Sequence, residues 1–400
     1  MQINIVDSMM GTGKTSAMIN FINASDKDSK FLYITPYLTE VDRIIKWCPL
    51  KAFKQPERYG TKKRGIKELF ERGVNIVSTH SLLREFDEEI IDLAYNGNYI
   101  LVMDEVADVI SRYGISRYDL ETILRDYTEV VDGHLLRWTA RDYTGNFHKH
   151  KKMCDLGCLG IYGDTVILWL FPLSTFKGFR NIFILTYMFE AQMQKYYFDY
   201  YDVRYQSLYV HGDGSSSDSP YELNSVKREY KHASYKSLID IHVSAKLNDI
   251  GELDGSLSKS WYERNKSNKL MTTLKNNMIN YFQHYARTTS KLNMWTTFKD
   301  FQNNLKGKGY AKGFIASNTR AINDYRDRTA MAYPINKYFN PYIKNFFADK
   351  NIKVDEDAYA LSEMVQWIFR SGIRDGKPIQ AYIPSRRMRE ILTQWINSFE

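Results

Sequence analysis

Short apolar runs alternate with helical patterns along the first hundred residues of the chain, and one more apolar run follows further on. The runs that we interpret as strands of one sheet are Ile3–Asp7, Phe31–Thr35, Val74–Ser78, Tyr99–Asp104 and Ile182–Thr186. After the first run, the pattern predicts a helix from Gly13 to about Asn23. Because strands that alternate with helices are typical of βαβ units, we expect an α/β fold with a mostly parallel sheet.

The alternation resumes after residues 212–220, GDGSSSDSP, which have the small and polar composition of a linker. We place the boundary between two lobes just before this segment, which gives domains of residues 1–205 and 206–400. In the second domain the pattern predicts a long polar helix over about 258–285. Further strands are predicted at 292–297, 313–316, 330–333 and 380–383, and helices at 341–349, 355–374 and 386–399.

Residues 111–177 form an irregular stretch rich in His, Lys, Tyr and Gly, which is too long for a simple connection and is interpreted as an insertion in the first lobe. Two histidines and two cysteines lie close together in it, at His148, His150, Cys154 and Cys158. Their separations differ from those of common structural zinc sites, so a basic surface loop with two buried thiols is favoured and zinc stays an alternative. The lysines of the same loop also offer contacts to nucleic acid.

The composition, with 44% hydrophobic and 26% charged residues, is that of an ordinary globular protein. No apolar run approaches the roughly 20 residues of a membrane helix, and the N-terminus lacks the pattern of a signal peptide. Three cysteines are too few for a disulfide framework, so we expect a reducing, cytoplasmic setting away from membranes. The net charge of +8 is uneven, since residues 251–400 carry 24 Lys+Arg and 14 Asp+Glu, a balance of +10. This excess fits either a polyanionic partner or a solvated surface.

The most specific motif is Ser8-Met-Met-Gly11-Thr12-Gly13-Lys14-Thr15, which follows a predicted strand and opens a predicted helix, the context of a P-loop. The two glycines let backbone N–H groups surround the β-phosphate of ATP, and the helix N-terminus adds its positive dipole. Lys14 would reach the β- and γ-phosphates, and the Thr15 hydroxyl would ligate Mg²⁺. Ser8 stands where the usual pattern has a glycine.

A carboxylate at the end of a buried strand is the second element of such a site, and Tyr99-Ile-Leu-Val-Met-Asp104-Glu105 supplies two. Asp104 would hold Mg²⁺ through water, and Glu105 would deprotonate the attacking water. By itself this segment fits a solvated acidic turn equally well, but together with the P-loop it indicates an ATPase. The residues predicted to bind ATP and Mg²⁺ are Gly11, Thr12, Gly13, Lys14, Thr15 and Asp104, with Thr15 and Asp104 as the metal ligands.

The motif at Ser8–Thr15, followed by Asp104-Glu105-Val106-Ala107, is similar to the first two motifs of superfamily 2 DEAD/DEAH-type helicases, and the chain most resembles the compact members encoded by bacteriophages. Weaker matches to later motifs extend over nearly the whole chain, at Ile34–Pro36, Val77–His80, Leu185–Tyr187, Trp295–Phe298, Ala316–Arg320 and Gln366–Arg374. The resemblance implies two RecA-like P-loop lobes in tandem, each a mostly parallel sheet flanked by helices, with the insertion in the first lobe.

The same resemblance implies a set of contacts to the phosphodiester backbone of a nucleic acid, made by Thr35, Pro36, Thr79, Thr297 and Thr319. Thr186 would couple the ATP state to the grip on nucleic acid. Taken singly, each threonine is equally well an ordinary residue at the end of a strand.

The match to the sixth motif also has a physical interpretation. Gln366, Arg370 and Arg374 are spaced i, i+4, i+8, so in a continuous helix they would share one face. Arginines on that face would stabilise the charge that develops on the γ-phosphate, although a solvated basic stripe has the same pattern. The family usually places its two arginines three residues apart and has a glycine where Phe369 stands, so the role of each arginine stays open.

The sequence thus predicts an ATP-dependent helicase or translocase in the cytoplasm of a phage-infected host, acting on DNA rather than RNA in replication or recombination. Other phage replication proteins are expected partners. The alternative is a DNA-packaging or remodelling ATPase that translocates on duplex DNA without strand separation. A nucleic-acid-binding protein with a decayed ATPase is disfavoured by the intact Lys14, Asp104 and Glu105.

Overall fold

The structure, a computed structural model, describes residues 1–36, 38–56, 61–163, 165–216, 219–228, 234–317 and 325–399. The backbone divides into two units, residues 1–227 with 340–354 and residues 228–339 with 355–400. Each unit contains a parallel sheet with helices, which confirms the predicted α/β class with mostly parallel sheets. None of the described helices combines the length and the apolar character needed to cross a membrane.

The regular elements of the described residues are numbered in chain order. The strands are β1 (Gln2–Asp7), β2 (Lys30–Thr35), β3 (Ile76–Thr79), β4 (Tyr99–Asp104), β5 (Ile110–Arg112), β6 (Thr128–Val131), β7 (Leu135–Trp138), β8 (Leu159–Tyr162), β9 (Val166–Leu170), β10 (Asn181–Thr186), β11 (Gln206–His211), β12 (Glu222–Asn224), β13 (Ile239–His242), β14 (Asn293–Trp295), β15 (Ala330–Ala332) and β16 (Ile379–Tyr382). The helices are α1 (Lys14–Ala24), α2 (Leu38–Trp47), α3 (Lys62–Glu71), α4 (Glu88–Asn96), α5 (Arg117–Asp126), α6 (His148–Asp155), α7 (Ser174–Lys177), α8 (Met193–Tyr200), α9 (Ser234–Leu238), α10 (Ala245–Asn248), α11 (Lys259–Asn265), α12 (Lys269–Asn280), α13 (Gln302–Leu305), α14 (Pro341–Ala348), α15 (Glu356–Ile368) and α16 (Arg386–Asn397).

The main sheet of the first unit has the strand order β12-β11-β1-β10-β4-β2-β3 and is parallel except for β12. Each strand predicted for this sheet is present. The carboxyl ends of β1, β10 and β4 meet at one edge because their registers align, with Asp7 opposite Thr186 and Leu185 opposite Asp104. The apolar residues of these strands pack against α1 and α2 to form the core, including the buried Val6, Met18, Tyr33, Val102 and Leu185.

Strands β11 and β12 belong to this same sheet, so the units do not divide at residue 205 as predicted. Strand β11 pairs in parallel with β1, and β12 returns antiparallel to β11. The small polar stretch after β11 leads to this return strand, and Gly212 and Gly214 adopt φ angles of 77° and 67° in it. Glycine and small polar residues are common in tight turns as well as in linkers, so the composition of this stretch does not distinguish the two.

The stretch between β4 and β10 forms a second, antiparallel sheet with the order β5-β9-β8-β7-β6, which we call the inserted sheet. Helices α5 and α6 pack on it, and the buried Leu120, Ile123, Leu136 and Ile161 form a small core of its own. The region that the sequence presents as irregular therefore has regular structure. Its strands have only three to five residues, which is too short for alternation to be recognised along the chain.

The second unit has a parallel sheet with the order β13-β16-β15-β14. The sequence predicts β14, β15 and β16 but not β13. The strand predicted at 313–316 is reduced to one bridge, at Phe314. The helix predicted over 258–285 is divided, because the side chains of Ser258 and Asn268 each cap a new helix, α11 and α12.

Helix α14 belongs to the first unit although it follows β15 in the chain. Phe346 stacks on Tyr200 of α8 with ring centroids 4.3 Å apart, and the Lys350 ammonium donates to the Tyr200 carbonyl at 2.8 Å. Tyr342 lies under the guanidinium of Arg112 in β5. The chain therefore passes between the units three times, at 227/228, 339/340 and 354/355.

Candidate functional site

The P-loop connects β1 to α1, as the sequence predicts. Gly11 and Gly13 have φ angles of 82° and 89°, which residues with a side chain rarely adopt. A Cβ atom at Gly13 would also lie 2.4 Å from the ring of Tyr221, which precedes β12. Glycine is thus required at position 13 both by the backbone conformation and by a neighbouring ring.

Lys14 and Thr15 lie in the first turn of α1. The Lys14 ammonium donates to the carbonyl oxygens of Ser8 at 2.5 Å and Met9 at 3.1 Å, so the side chain folds back over the loop. The Thr12 hydroxyl donates to the same Met9 carbonyl at 2.7 Å. These contacts hold the ammonium where a phosphate chain cradled by the loop and the helix N-terminus would meet it.

Asp104 ends β4 and is only 7% exposed. Its Oδ2 atom accepts hydrogen bonds from the hydroxyls of Thr15 and Tyr33, each at 3.2 Å. Burial, followed by the negative charges of Glu105 and Glu40, raises the pKa of this carboxyl to about 6. The charge of Lys14 and the hydrogen bond from Thr15 lower the pKa without offsetting that shift, and a divalent cation beside the carboxylate would lower it further.

Glu105 follows with a φ angle of 83°, which is uncommon for a residue other than glycine. Its N–H donates to the Leu185 carbonyl of β10 at 2.9 Å. Its Oε2 atom is buried and has no hydrogen-bond partner among the described residues. Together with the Thr15 hydroxyl and the Asp104 carboxylate, this oxygen completes a set of hard oxygen donors that fits Mg²⁺ and its waters.

The start of the P-loop is bonded to the two strands that flank β1. The Ser8 N–H donates to the Thr186 carbonyl of β10 at 3.1 Å, and the Ser8 hydroxyl accepts the Val210 N–H of β11 at 2.8 Å. Serine stands in place of the usual glycine because its hydroxyl satisfies a buried backbone donor. The Thr186 hydroxyl accepts a bond from Gln192 at 2.8 Å. Thr186, which is predicted to couple the ATP state to the grip on nucleic acid, therefore contacts the first residue of the P-loop.

The residues predicted to contact nucleic acid differ in exposure. Thr79 is half-exposed at the end of β3, and Pro36 is half-buried after β2. Thr35 is fully buried, and its hydroxyl has no hydrogen-bond partner within the described ranges. Thr297 is buried in the second unit. Thr319 lies outside the described residues.

The helical face predicted for Gln366, Arg370 and Arg374 is wrong, because α15 ends at Ile368. Ser371 then caps a separate 3₁₀ turn with its hydroxyl, and Arg374 lies in that turn. Arg370 is 6% exposed, whereas Gln366 and Arg374 are half-buried. The three side chains project from three different backbone segments.

The His and Cys residues of the inserted sheet do not form a metal site. In the part of the chain that the structure describes, no three His, Cys, Asp or Glu side chains come together in a way that could hold an ion. Cys154 and Cys158 are buried, and burial raises the pKa of their thiols to about 12 and about 11. Both thiols are therefore protonated at neutral pH, as the favoured interpretation of two buried thiols expects.

Four residues that contact the site are missed by sequence reasoning: Asp7, Tyr33, His80 and Tyr221. Asp7 accepts backbone N–H bonds from the turn after β10, at 2.9 and 3.1 Å, and so fixes that turn beside the P-loop. A polar group within or at the end of a buried strand could have indicated Asp7 and Tyr33. The positions of His80 and Tyr221 depend on tertiary structure that no local pattern shows.

One curated protein matches the chain over its whole length. The SPbeta prophage-derived uncharacterized protein YonV of Bacillus subtilis (strain 168) is 36% identical over 413 residues, which cover 99% of this chain and 99% of that protein. The chain belongs to the YonV family. Residues 233–396 match the domain described as the YonV C-terminal Rossmann-like domain, which contains the parallel sheet of the second unit.

Two solved structures match this YonV-family chain to different degrees. S. tokodaii Xpd4 matches with a TM-score of 0.50 and 12% identity, over 98% of this chain and 94% of that one. A crystal structure of the DUF1998 helicase MrfA bound to DNA and AMPPNP matches with a TM-score of 0.37 and 11% identity, over 99% of this chain and 48% of that one. The first match shows a related fold, and the second is too weak to show one.

We expect the Ser8 hydroxyl to stabilise the P-loop. Ser8→Ala leaves the Val210 N–H buried without an acceptor, so the free energy of unfolding should fall by about 1–3 kcal/mol in urea denaturation. Ser16→Ala, at a half-buried position of α1, is the control and should change it by less than about 0.5 kcal/mol. Equal stabilities of Ser8→Ala and the wild type would contradict this role.

Proposed function

We propose that the chain is an ATP hydrolase of the superfamily 2 helicase type, with two RecA-like lobes, that uses ATP to move along nucleic acid or separate its strands. The observation that carries this proposal is the 3.2 Å contact between Thr15 of the P-loop and Asp104 at the end of β4, beside Glu105 with its unbonded buried oxygen. P-loop ATPases require this combination of hydroxyl, metal-binding acid and general base. The fold related to Xpd4 supports a helicase-like architecture.

In the proposed reaction, the P-loop backbone and Lys14 bind and orient the phosphates of ATP. A magnesium ion held by Thr15 and Asp104 would neutralise the charge that develops on the phosphates. Glu105 accepts the proton of the attacking water at its Oε2 atom. The bond from the Glu105 N–H to Leu185 keeps this carboxylate at a defined place beside Asp104.

We assign Gln366, Arg370 and Arg374 of the second unit to the γ-phosphate, as the resemblance to the sixth helicase motif implies. Arg370 is our first choice for the arginine that meets the developing charge. It is 6% exposed, so its guanidinium is largely immobilised before it meets a phosphate. A planar, pre-ordered guanidinium loses less entropy when it binds phosphate than a free side chain does.

DNA is the proposed track. The prophage origin in the name of the YonV relative supports a role in phage replication or recombination, with other phage proteins as partners. Residues 251–400 contain 24 Lys+Arg and 14 Asp+Glu, and this net charge of +10 suits binding to a polyanion such as DNA. Of the predicted backbone contacts we retain the partly exposed Pro36 and Thr79, together with Thr319, whereas Thr35 and Thr297 are buried. Thr186 is the proposed coupling residue through its bond to Ser8.

A packaging or remodelling ATPase that translocates without strand separation would use the same ATP site. A packaging motor ordinarily adds a nuclease lobe with clustered acids, for which Asp355, Glu356 and Asp357 are the candidates. The Asp355 carboxylate instead accepts the N–H groups of Asp357 and Ala358 and caps α15. This observation favours the helicase over the packaging motor.

The proposal is tested by measuring ATP hydrolysis with single-stranded DNA, duplex DNA or RNA, followed by a strand-displacement assay. We expect hydrolysis that DNA stimulates and that Lys14→Ala abolishes, because this variant lacks the cation that binds the phosphates. Lys27→Ala, at an exposed position after α1, is the matched control. Normal turnover in Lys14→Ala would refute the P-loop site, and hydrolysis without strand displacement would favour the packaging alternative.

Glu105→Gln is expected to bind ATP but to hydrolyse it about 10²–10⁴-fold more slowly, because the amide cannot accept the proton of the attacking water. The measurement pairs single-turnover hydrolysis with the affinity for a fluorescent ATP analogue. Glu129→Gln, on an exposed strand of the inserted sheet, is the control. Rapid hydrolysis by Glu105→Gln would show that another group is the base.

Arg370→Ala is expected to lower kcat by about 10³-fold or more, with a smaller effect on ATP affinity, because its charge acts on the transferred phosphoryl group. Arg374→Ala, measured beside it, shows which of the two arginines has this role. If both variants keep wild-type kcat, the second unit contributes no arginine to hydrolysis.

A further inference from the structure

Three polar side chains meet at the end of β3, and we call them the β3-end cluster: Lys62, Thr79 and Ser81. The Lys62 ammonium, from the first turn of α3, donates to the Thr79 hydroxyl at 3.1 Å and to the Ser81 hydroxyl at 2.7 Å. The two hydroxyls lie 3.0 Å apart. Thr79 is half-exposed and Ser81 is exposed. Ammonium and hydroxyl groups bind phosphodiester oxygens, so a backbone phosphate can replace the hydroxyls as a partner of Lys62.

His80 connects this cluster to the ATP site. It stands between Thr79 and Ser81 in the chain, and its Nε2 atom is 3.2 Å from the carbonyl oxygen of Asp104. A carbonyl oxygen only accepts hydrogen bonds, so Nε2 carries the hydrogen in this contact. The imidazole thus reaches from β3 past the end of the intervening β2 to β4.

The Asp104 carbonyl belongs to the peptide group that joins Asp104 to Glu105. The N–H of this same peptide group donates to the Leu185 carbonyl at 2.9 Å. The peptide group is therefore held on one side by His80 and on the other side by β10, directly before Thr186. The orientation of this peptide group determines, with the rest of the Glu105 backbone, the φ angle of 83° at Glu105. Such a conformation persists only where the surrounding structure enforces it.

We propose that His80 transmits nucleic-acid binding at the β3-end cluster to Glu105, by setting the orientation of the peptide group between Asp104 and Glu105. This inference rests on the function proposed above. A phosphate that draws Lys62 away from Thr79 and Ser81 shifts the segment that carries His80, and the imidazole bond passes the shift to the general base. His80 is then a positioning residue, whereas Lys62 sets the affinity for the strand.

The test compares kcat and KM for ATP with and without poly(dT), and the affinity for poly(dT) by fluorescence anisotropy. His80→Phe removes the donor and keeps a ring. We expect the stimulation of kcat by poly(dT) to fall about tenfold, while KM for ATP and the affinity for poly(dT) change by less than about threefold. His80→Gln keeps an N–H donor and should regain most of the stimulation. His148→Phe, at an exposed position of α6, is the matched control.

Lys62→Ala removes the hydrogen bonds to Thr79 and Ser81 that the phosphate is proposed to release. We therefore expect a weaker affinity for poly(dT) and a kcat without poly(dT) that is raised toward the stimulated value. Wild-type stimulation in His80→Phe would overturn the inference and leave the proposed function intact. Absence of stimulation of the wild-type protein by any nucleic acid would overturn both.

If His80→Phe does not fold, His80→Gln and His80→Asn decide the question, since Gln must retain stimulation and the shorter Asn must lose it.

Discussion

The contact between the Thr15 hydroxyl and the Asp104 carboxylate is the interaction on which the candidate site depends. These residues are 89 positions apart in sequence, and only a parallel sheet brings them together. Strands β1, β10 and β4 must run in the same direction and align their registers, so that the P-loop and the acidic strand end leave the sheet at one edge. The Ser8 bonds to Thr186 and Val210 then fix the loop at that edge, and Tyr221 lies against its last glycine.

Two acids at the same edge of the sheet are held in unfavourable states, Asp104 by its electrostatic surroundings and Glu105 by its backbone conformation. Asp104 is buried beside Glu105 and within range of Glu40, which is why its pKa rises to about 6. Glu105 adopts a backbone conformation that suits glycine, and its peptide group is held by the His80 side chain, directly after β3, and by Leu185 of β10. A cation bound beside these two acids would relieve the repulsion between them. Polar strain that persists within a well-packed sheet is typical of functional sites.

The first sheet and the P-loop could be predicted from the sequence because their information is local: buried strands appear as apolar runs, and the turn at Gly11 and Gly13 requires glycine. Predictions from spacing failed where tertiary contacts decide. The helical face of Gln366, Arg370 and Arg374 does not exist, because Ser371 starts a new turn. The turn glycines after β11 gave the composition of a linker, although the chain there returns to the first sheet. The contacts of Tyr33 and His80 with Asp104 cross between strands and leave no pattern in the chain.

Helix α14 shows that the physical units of this molecule do not follow the order of the chain. The domain matched at residues 233–396 includes α14, yet the helix packs on α8 and β5 of the first unit through Phe346 and Tyr342. No single cut separates the two units, and a fragment ending at residue 227 would lose the aromatic ring that covers Tyr200. A chain shortened to residues 228–400 would therefore carry α14 without the side chains of α8 and β5 on which this helix packs.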